Sequence, residues 1–321
     1  MKSMLSEFEL IERYFRPATD HTVLAGGDDA ALIDVSAGQQ LAVSTDALVA
    51  GRHFFEDALP YDIGYKCMAA NLSDMAAMGA NPRWVTLSLT LPRVDESWIS
   101  EFARGFLELG AEHDVDLIGG DTTSGPLAVC VQIMGEVPAG KALRRSGARV
   151  GDDIWVSGTV GDAALALAHV RGDFRLDANG LDYAMKRLTH PHPRVALGRA
   201  LVGLATSAID ISDGLVADLG HVAHASAVQA VVDWEAVPLS SVAAGDREHP
   251  LVQQAALAGG DDYELAFTAP AAARSTLDAL AARLELALAR VGTVAAGHGV
   301  SVRDRSGRVV TPSEKGFDHF H

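Results

Sequence analysis

The chain is poor in cysteine and in basic residues. Cys67 and Cys130 are its two cysteines, and their spacing supports neither a disulfide framework nor a thiolate metal site. Its 26 Lys and Arg residues are outnumbered by 42 Asp and Glu, which gives a formal net charge of −16. Because phosphate backbones and anionic lipid surfaces require clustered Lys and Arg, we expect no nucleic acid and no membrane as partners.

Long apolar runs are also missing. No stretch reaches the roughly 18 apolar residues of a membrane span, and the start of the chain has Glu7, Glu9 and Glu12 where a signal peptide has its apolar core. Together with the scarcity of cysteine, these absences predict a cytoplasmic protein. There is no Pro/Ser-rich linker and no repeat of fixed period, so 321 residues predict two closely packed domains.

Several common enzyme motifs are absent as well. The sequence has no Gly-x-Gly-x-x-Gly after a strand, no Gly-x-Ser-x-Gly and no His-Glu-x-x-His, which removes support for Rossmann cofactors, the α/β-hydrolase elbow and zincin chemistry. Residues 135–142 approach a Walker A pattern, but Ala142 stands where Ser or Thr is required and Pro138 restricts the loop. His221 and His224 lack a third ligand nearby in sequence, so we interpret them as packing or surface residues.

The chain is instead rich in short islands of small residues and Asp. Gly-Gly-Asp occurs three times, at Gly26-Gly27-Asp28, Gly119-Gly120-Asp121 and Gly259-Gly260-Asp261. Asp directly follows Ser or Thr in three further islands, which are Thr45-Asp46, Ser73-Asp74 and Ser212-Asp213. Gly permits tight turns and close approach of the backbone to a ligand, and carboxylate oxygens are ligands that Mg²⁺ prefers. If the islands converge, their charges require a cation.

The secondary-structure pattern places some of these islands. A short strand at 41–44 is expected to end in Thr45-Asp46, and another at 115–118 to end in Gly119-Gly120-Asp121. Ligand sites of open α/β sheets lie at such strand ends. A helix over 62–78, terminated by Gly79, carries a partly buried Asp74, for which a hydrogen bond to Ser73 is the structural alternative to a ligand role.

Strands and helices alternate through the rest of the chain, which predicts an α/β or α+β fold with a domain boundary near residue 140. The predicted N-terminal domain is 1–140 and the C-terminal domain 141–321. Further helices are predicted at 96–113, 162–170, 181–188 and 271–284, and further strands at 128–134, 153–157 and 264–268.

The segment Asp210 to Gly214 gives the strongest local signal. It places two carboxylates and a hydroxyl within one turn before a helix; capping explains Asp213 but not Asp210. Four other Gly-Asp steps act as controls, because the same dipeptide is ordinarily a turn. Their aspartates are Asp152, Asp162, Asp173 and Asp246.

Seven motifs in order resemble the thiamine-monophosphate kinase family, and the resemblance covers nearly the whole chain. They are Gly27-Asp28-Asp29-Ala30, Ser44-Thr45-Asp46, the run from Asn71 to Ala80, Gly119-Gly120-Asp121-Thr122, Arg145-Ser146-Gly147-Ala148, the run from Asp210 to Leu215 and the run from Gly260 to Leu265. That family belongs to the superfamily that holds aminoimidazole ribonucleotide synthetase, selenophosphate synthetase and a hydrogenase maturation factor.

The resemblance implies an N-terminal α/β domain whose sheet pairs with that of a second subunit in a homodimer, and a C-terminal α/β domain that closes over ATP. It implies several Mg²⁺ ions, with ATP and thiamine monophosphate as substrates. The implied metal ligands are Asp29, Ser44, Thr45, Asp46, Asp74, Asp121, Asp210 and Asp213. The implied ATP contacts are Gly120, Asp121, Arg145 and Ser212. The implied substrate contacts are His53, Asp261 and Phe317.

Two positions depart from the family pattern, which often has Glu at Asp261 and Tyr or Trp at Phe317. The implied reaction transfers the γ-phosphoryl group of ATP to the phosphate of thiamine monophosphate. That acceptor is already anionic, so no dedicated general base is expected. Two alternatives stay open: another ATP-using enzyme of the superfamily, although Cys67 and Cys130 lie in neither position where such enzymes need cysteine, and a nucleotide-binding protein without transfer activity.

Overall fold

A computed structural model describes residues 7–312 and Gly316, and these residues form two compact units. Unit 1 contains the described residues up to Met75 together with Ala80–Gly140. Unit 2 contains Ala76–Gly79 together with the described residues from Lys141 onward. Both units combine helices with a sheet, so the predicted α/β (α+β) fold class is confirmed.

Unit 1 is built on a four-stranded sheet. Its elements are α1 (Glu7–Tyr14), β1 (Gln39–Val49), α2 (Pro60–Ala77), β2 (Asn81–Leu91), α3 (Glu96–Glu112), β3 (Asp116–Ser124) and β4 (Ala128–Pro138). The strand order is β1-β4-β2-β3, with β2 and β3 parallel and the other pairs antiparallel. The order leaves β1 as an edge strand.

Helices α2 and α3 pack closely because two glycines face the opposing backbone. A Cβ on Gly64 would lie 2.1 Å from the carbonyl oxygen of Phe102, and one on Gly105 would lie 2.1 Å from that of Tyr61. The side chain of Asp95 caps α3 by accepting hydrogen bonds from the N–H groups of Ser97 and Trp98. The core of the unit is made of large apolar side chains such as Met68, Leu72, Trp84, Leu89, Phe102 and Phe106.

Unit 2 is built on a seven-stranded sheet. Its elements are β5 (Asp153–Ser157), α4 (Asp162–Arg171), α5 (Ala178–Thr189), α6 (Val195–Leu201), β6 (Ser207–Asp210), α7 (Leu215–Ser226), β7 (Gln229–Asp233), α8 (Pro250–Ala258), β8 (Leu265–Ala269), α9 (Arg274–Leu284), β9 (Leu288–Ala295), β10 (Gly299–Arg303) and β11 (Val309–Val310). The strand order is β11-β10-β7-β9-β5-β8-β6. A contiguous core that includes Ile209, Leu215, Leu219, Val232 and Trp234 lies against this sheet.

Two expectations about strand ends are wrong. β1 does not stop before Asp46 but runs on to Val49, and Asp46 is paired with Val131 of β4. β3 likewise continues to Ser124, with Asp121 paired with Ser88 of β2. The reason is that each strand has a neighbour long enough to extend the hydrogen-bonded ladder past the polar residues. Both aspartates therefore lie inside strands.

The helix that carries Asp74 is confirmed as α2, and Gly79 follows its end with a φ of +65°. Strand β5 and helices α3, α4 and α5 lie within a few residues of the predicted segments. Among the described residues, no helix combines the length and the apolar character that crossing a membrane requires.

Candidate functional site

Ser44 and Asp74 meet between β1 and α2. The Ser44 hydroxyl donates a hydrogen bond of 2.5 Å to Oδ2 of Asp74, and both residues are half-buried. Asp46 follows Ser44 by two residues and therefore projects from the same face of β1. Burial raises the pKa of the Cys67 thiol on α2, and Lys66 opposes the rise. The Asp46 carboxylate adds to it, which means that Asp46 lies near this helix. The structure brings three predicted metal ligands to one face of the sheet.

Thr45 lies on the opposite face of β1, because neighbouring residues of a strand alternate sides. Asp121 shares that opposite face: it pairs with Ser88, Ser88 pairs with Cys130, and Cys130 pairs with Ala47. The register thus separates Thr45 and Asp121 from the group formed by Ser44, Asp46 and Asp74. This division could not be seen from the motifs.

The first two Gly-Gly-Asp islands lie against each other. A Cβ on Gly26 would be 4.0 Å from Cα of Gly119. Gly120 has a φ of +155°, and a Cβ there would lie 1.8 Å from the carbonyl oxygen of Leu87, so no other residue fits. Asp28 accepts the N–H of Asp29 in a local turn, and Asp29 is exposed. Asp29 is accordingly the better ligand candidate of the two.

His53 is fixed by the chain around it. Its Nδ1 accepts the N–H of Val49 at 3.0 Å, which puts the proton of the neutral ring on Nε2. The backbone carbonyl of His53 accepts a 3.1 Å hydrogen bond from Nζ of Lys66, an ammonium that is only 3% exposed. Lys66 was not singled out from the sequence, because a single Lys in a helical pattern ordinarily indicates a solvated surface.

In unit 2, the turn from Asp210 to Gly214 follows directly on β6 and precedes α7. The carboxylate of Asp218 lies inside this turn, where its Oδ2 accepts the N–H groups of Ser212, Asp213 and Gly214 at 3.1 Å each. Burial, together with the charges of Asp210 and Asp213, raises the pKa of Asp218 to about 8. Asp218 was missed because no local motif marks an Asp that folds back onto the preceding turn.

The third Gly-Gly-Asp island packs against the same turn. The N–H of Asp261 donates to the carbonyl of Ser212 at 3.0 Å, and a Cβ on Gly260 would lie 2.3 Å from that oxygen. Asp261 and Tyr263 both adopt positive φ, at +66° and +50°, and the Tyr263 hydroxyl donates to the Asp261 carboxylate. The structure thus brings the predicted substrate residue Asp261 beside the predicted ATP residue Ser212.

A buried ion cluster supports the Asp261 loop from behind. Glu264 is fully buried and binds Nε of Arg194 at 2.6 Å and one guanidinium nitrogen of Arg187 at 2.9 Å, with a further hydrogen bond from Ser157. The neighbouring Asp262 is also buried and accepts the N–H of Gly161. Desolvation by burial raises the pKa of Asp262 well above its ordinary value.

Arg145 is exposed, and its backbone carbonyl accepts a hydrogen bond from Ser226, the last residue of α7. Ser212 lies three residues before Leu215, where that helix begins. The twelve residues of α7, about 18 Å at 1.5 Å per residue, therefore separate Ser212 from the backbone of Arg145. Phe317 lies outside the described residues. Gly316 is described, and a Cβ on it would lie 3.0 Å from the carbonyl oxygen of Asp213.

The Gly-Asp controls have ordinary structural partners. Asp152 accepts hydrogen bonds from the N–H of Arg149 and the hydroxyl of Thr206. Asp162 accepts from the hydroxyls of Thr159 and Ser240, and Asp173 and Asp246 are exposed. None of the hydrogen bonds that fix Asp152 and Asp162 involves a predicted site residue.

The predicted ligand set consists of carboxylate and hydroxyl oxygens, which fits Mg²⁺ rather than a soft metal. Glycines at 120 and 260 let backbone approach closely at two of the islands, as a phosphate site requires. Within the described part of the chain, no three His, Cys, Asp or Glu side chains form a group arranged to hold a metal ion. The residues fit Mg²⁺ by chemistry, and the described geometry contains no complete protein cage.

Family models and a curated relative match most of the chain. Residues 27–137 match the family model for the AIR synthase related protein, N-terminal domain, and residues 149–305 match that for the C-terminal domain. Thiamine-monophosphate kinase of Escherichia coli (strain K12) is 46% identical over 318 residues, which cover 98% of each chain.

Solved structures of related proteins have the same fold. The crystal structure of thiamine-monophosphate kinase from Stenotrophomonas maltophilia K279a matches with a TM-score of 0.86 at 47% identity, covering 95% of this chain and 98% of that one. The structure of AaThiL complexed with AMPPCP and TMP matches with a TM-score of 0.76 at 30% identity, covering 91% of each chain. With matches of this extent, the chain belongs to the thiamine-monophosphate kinase family.

Proposed function

We infer that the protein phosphorylates thiamine monophosphate with ATP, giving thiamine diphosphate and ADP. The observation that carries this inference is the match of nearly the whole chain to the Escherichia coli kinase at 46% identity. The structure of the 30% identical AaThiL with AMPPCP and TMP supports the same pair of substrates. The islands supply oxygen ligands and backbone cradles in both units.

The residues of the site suit a transfer between two phosphates. The acceptor phosphate is anionic at neutral pH, so the reaction needs positioning and charge neutralisation rather than a general base. His53 agrees with this role, because the N–H of Val49 occupies its Nδ1. We propose that the ring of His53 contacts the substrate. Asp261, held by Tyr263 and by the backbone of Ser212, supplies a negative charge for a cationic substrate ring.

We propose that magnesium ions, bound by oxygen ligands, neutralise charge on the phosphates. The proposed ligands in unit 1 are Asp29, Ser44, Thr45, Asp46, Asp74 and Asp121. Those in unit 2 are Asp210 and Asp213. ATP is further contacted by Gly120, Asp121, Arg145 and Ser212, and the substrate by His53, Asp261 and Phe317. The Ser44–Asp74 hydrogen bond supports the first group, and the Asp218-shaped turn supports the second.

The outer face of β1 supports the proposed homodimer. Leu41, Val43 and Val49 are 39%, 51% and 38% exposed on this edge strand. A long, apolar edge strand is an aggregation hazard unless something covers it, and a second copy of the chain is the proposed cover. Val43→Asp is expected to give monomers by light scattering, whereas Val170→Asp, at an equally exposed position on α4, leaves the dimer intact. Dimers in both variants would contradict this assignment.

The two cysteines support a proposal for the compartment. Cys67 is buried, and neither it nor Cys130 forms a disulfide. Free cysteines without a disulfide framework support a reducing compartment, and we propose the cytoplasm.

The reaction is tested by coupled ADP release with ATP, Mg²⁺ and either thiamine monophosphate or thiamine. Turnover with the monophosphate alone, dependent on Mg²⁺, is the expected result. Turnover with thiamine but not with its monophosphate would contradict the proposed acceptor. Nucleotide binding without ADP release on either substrate would instead favour a protein that binds ATP and transfers nothing.

A further inference from the structure

Asp218 is a buried carboxylate beside the proposed site to which no role has been assigned. It lies in the first turns of α7, is 3% exposed, and uses a single oxygen to accept three hydrogen bonds. All three donors are backbone N–H groups of consecutive residues, Ser212 to Gly214. Two of these residues carry side chains that we assign to ATP and magnesium.

The contact differs from an ordinary helix cap. A capping side chain precedes the helix and accepts the N–H groups of its first turn. Here α7 begins at Leu215, the accepting carboxylate comes from inside the helix, and the N–H groups belong to the turn before it. Asp218 therefore fixes the shape of the turn rather than the end of the helix.

The other edge of the turn is fixed by the Asp261 loop. The carbonyl of Ser212 accepts the N–H of Asp261, while the N–H of Ser212 donates to Asp218. The N–H of Tyr263 donates to the carbonyl of Ile211. The backbone of Ser212 is thus held from both sides, and that hold sets the direction of the Ser212 and Asp213 side chains.

We propose that Asp218 is a positioning residue for phosphoryl transfer, which holds the turn so that Ser212 and Asp213 meet magnesium and ATP. This proposal rests on the functional assignment of those two residues. Because one oxygen accepts all three N–H groups, the property that matters is an acceptor at that position, not a negative charge.

Two conservative variants separate these properties. Asp218→Asn keeps a carbonyl oxygen at the same distance from the backbone and cannot ionise. Asp218→Glu keeps the carboxyl group and displaces its oxygens by one methylene group. Asp177→Ala is the matched control, because Asp177 accepts the N–H of Gly180 at the start of α5, and the residues nearest Gly180 include no proposed site residue.

The measurements are kcat and the Mg²⁺ concentration for half-activation, from ADP release at saturating substrates, with Tm recorded for each variant. Asp218→Glu is expected to lower kcat and to raise the Mg²⁺ requirement, each by about tenfold. Asp218→Asn is expected to stay within about threefold of wild type, since its oxygen keeps the three N–H partners. Asp177→Ala lowers Tm and leaves both kinetic quantities unchanged.

Wild-type kinetics in Asp218→Glu, or a loss in Asp218→Asn as large as in Asp218→Glu, would overturn the proposal. A wild-type chain that releases no ADP would count against the proposed function instead. In that case the increase in Tm on adding ATP with Mg²⁺ replaces the kinetic measurements, and the variants are expected to rank in the same order. An increase as large in Asp218→Glu as in wild type would overturn the role of Asp218, whatever the reaction.

Discussion

The β1–α2 region and the β6–α7 turn hold their acidic residues by different means. In the first, Ser44 and Asp46 lie inside an eleven-residue strand whose ladder with β4 fixes their direction. In the second, β6 ends at Asp210, and the following residues are fixed by the Asp218 carboxylate and by the Asp261 loop. Strand register determines the direction of the side chains in the β1–α2 region, and a few buried polar groups determine it in the β6–α7 turn.

This difference teaches where each region is vulnerable. A strand distributes its hydrogen bonds over many backbone groups, so a single side-chain change in β1 alters chemistry more than position. The turn depends on Asp218 and on the support that Glu264 gives to the adjoining loop, so changes away from the ligands alter position. Substitutions in β1 are therefore expected to change activity with little effect on structure, whereas substitutions behind the β6–α7 turn are expected to change both.

The largest expected effects come from the ligands themselves. Asp46→Asn and Asp210→Asn are each expected to lower kcat/KM by about 10³-fold, because each removes a charge that we propose stabilises magnesium and phosphate. Asp210→Asn should remain folded without Mg²⁺, since it removes a negative charge close to the buried Asp218. ADP release and Tm are the measurements.

Asp173→Asn is the control for both, because Asp173 follows Gly172 in an exposed turn. It should keep wild-type kinetics. Wild-type kinetics in Asp46→Asn together with a loss in Asp210→Asn would mean that the acidic residues of β1 take no part in the reaction.

The second effect is on stability and is confined to unit 2. Glu264→Gln leaves Arg187 and Arg194 without their buried counter-charge and is expected to lower the free energy of unfolding by about 3–5 kcal/mol. Urea denaturation followed by circular dichroism measures it. Asp182→Asn removes a carboxylate from an exposed pair with Lys186 and should leave the urea midpoint unchanged. An equally small shift for Glu264→Gln would mean that the Asp261 loop needs no ionic support.

Local sequence patterns predicted which elements carry two of the candidate segments. Asp74 on α2 and the turn from Asp210 to Gly214 follow from local patterns, namely a helical apolar period and a run of small and acidic residues before a helix. Such patterns involve residues close in sequence. The fold class follows from the same alternation of strands and helices.

What sequence could not give depends on partners far away in the chain. The continuation of β1 past Asp46 requires β4, some 85 residues later, to extend the ladder, and the separation of Thr45 from Asp74 follows from that register. Lys66 was missed for the same reason, and Glu264 was included only as part of the run from Gly260 to Leu265, with no role of its own. Each is buried because of the partners that the fold brings to it.

The third prediction uses the two faces of β1. Ser44→Ala is expected to lower kcat about tenfold, because Asp74 loses the hydroxyl that orients its carboxylate. Combined with Asp74→Asn, it should cost little more than Asp74→Asn alone, since the two residues act through one contact. Thr45→Val lies on the other face, and its effect should multiply with that of Asp74→Asn.

Two double-mutant cycles test this, both measured as kcat/KM for ADP release. The cycle of Ser44 with Asp74 concerns residues on one face of the sheet, and the cycle of Thr45 with Asp74 concerns residues on opposite faces. Equal coupling of Ser44 and Thr45 to Asp74 would show that the register of β1 does not divide the ligands.

The smallest expected effect is a pH-dependent change in Tm that comes from Asp262, a buried carboxylate behind the Asp261 loop. Burial raises the pKa of Asp262 well above its ordinary value of 3.8, so the folded chain holds this proton more tightly than the unfolded chain. The contribution of Asp262 to stability is therefore greatest below pH 3.8 and declines as the pH rises toward the folded pKa. Asp262→Asn keeps an oxygen for the N–H of Gly161 and carries no charge. Its Tm should exceed that of wild type by a few degrees at pH 8, and the difference should shrink as the pH falls toward 4. A difference constant across this range would mean that the pKa of Asp262 is the same in the folded and the unfolded chain, because Arg187 offsets the effect of burial.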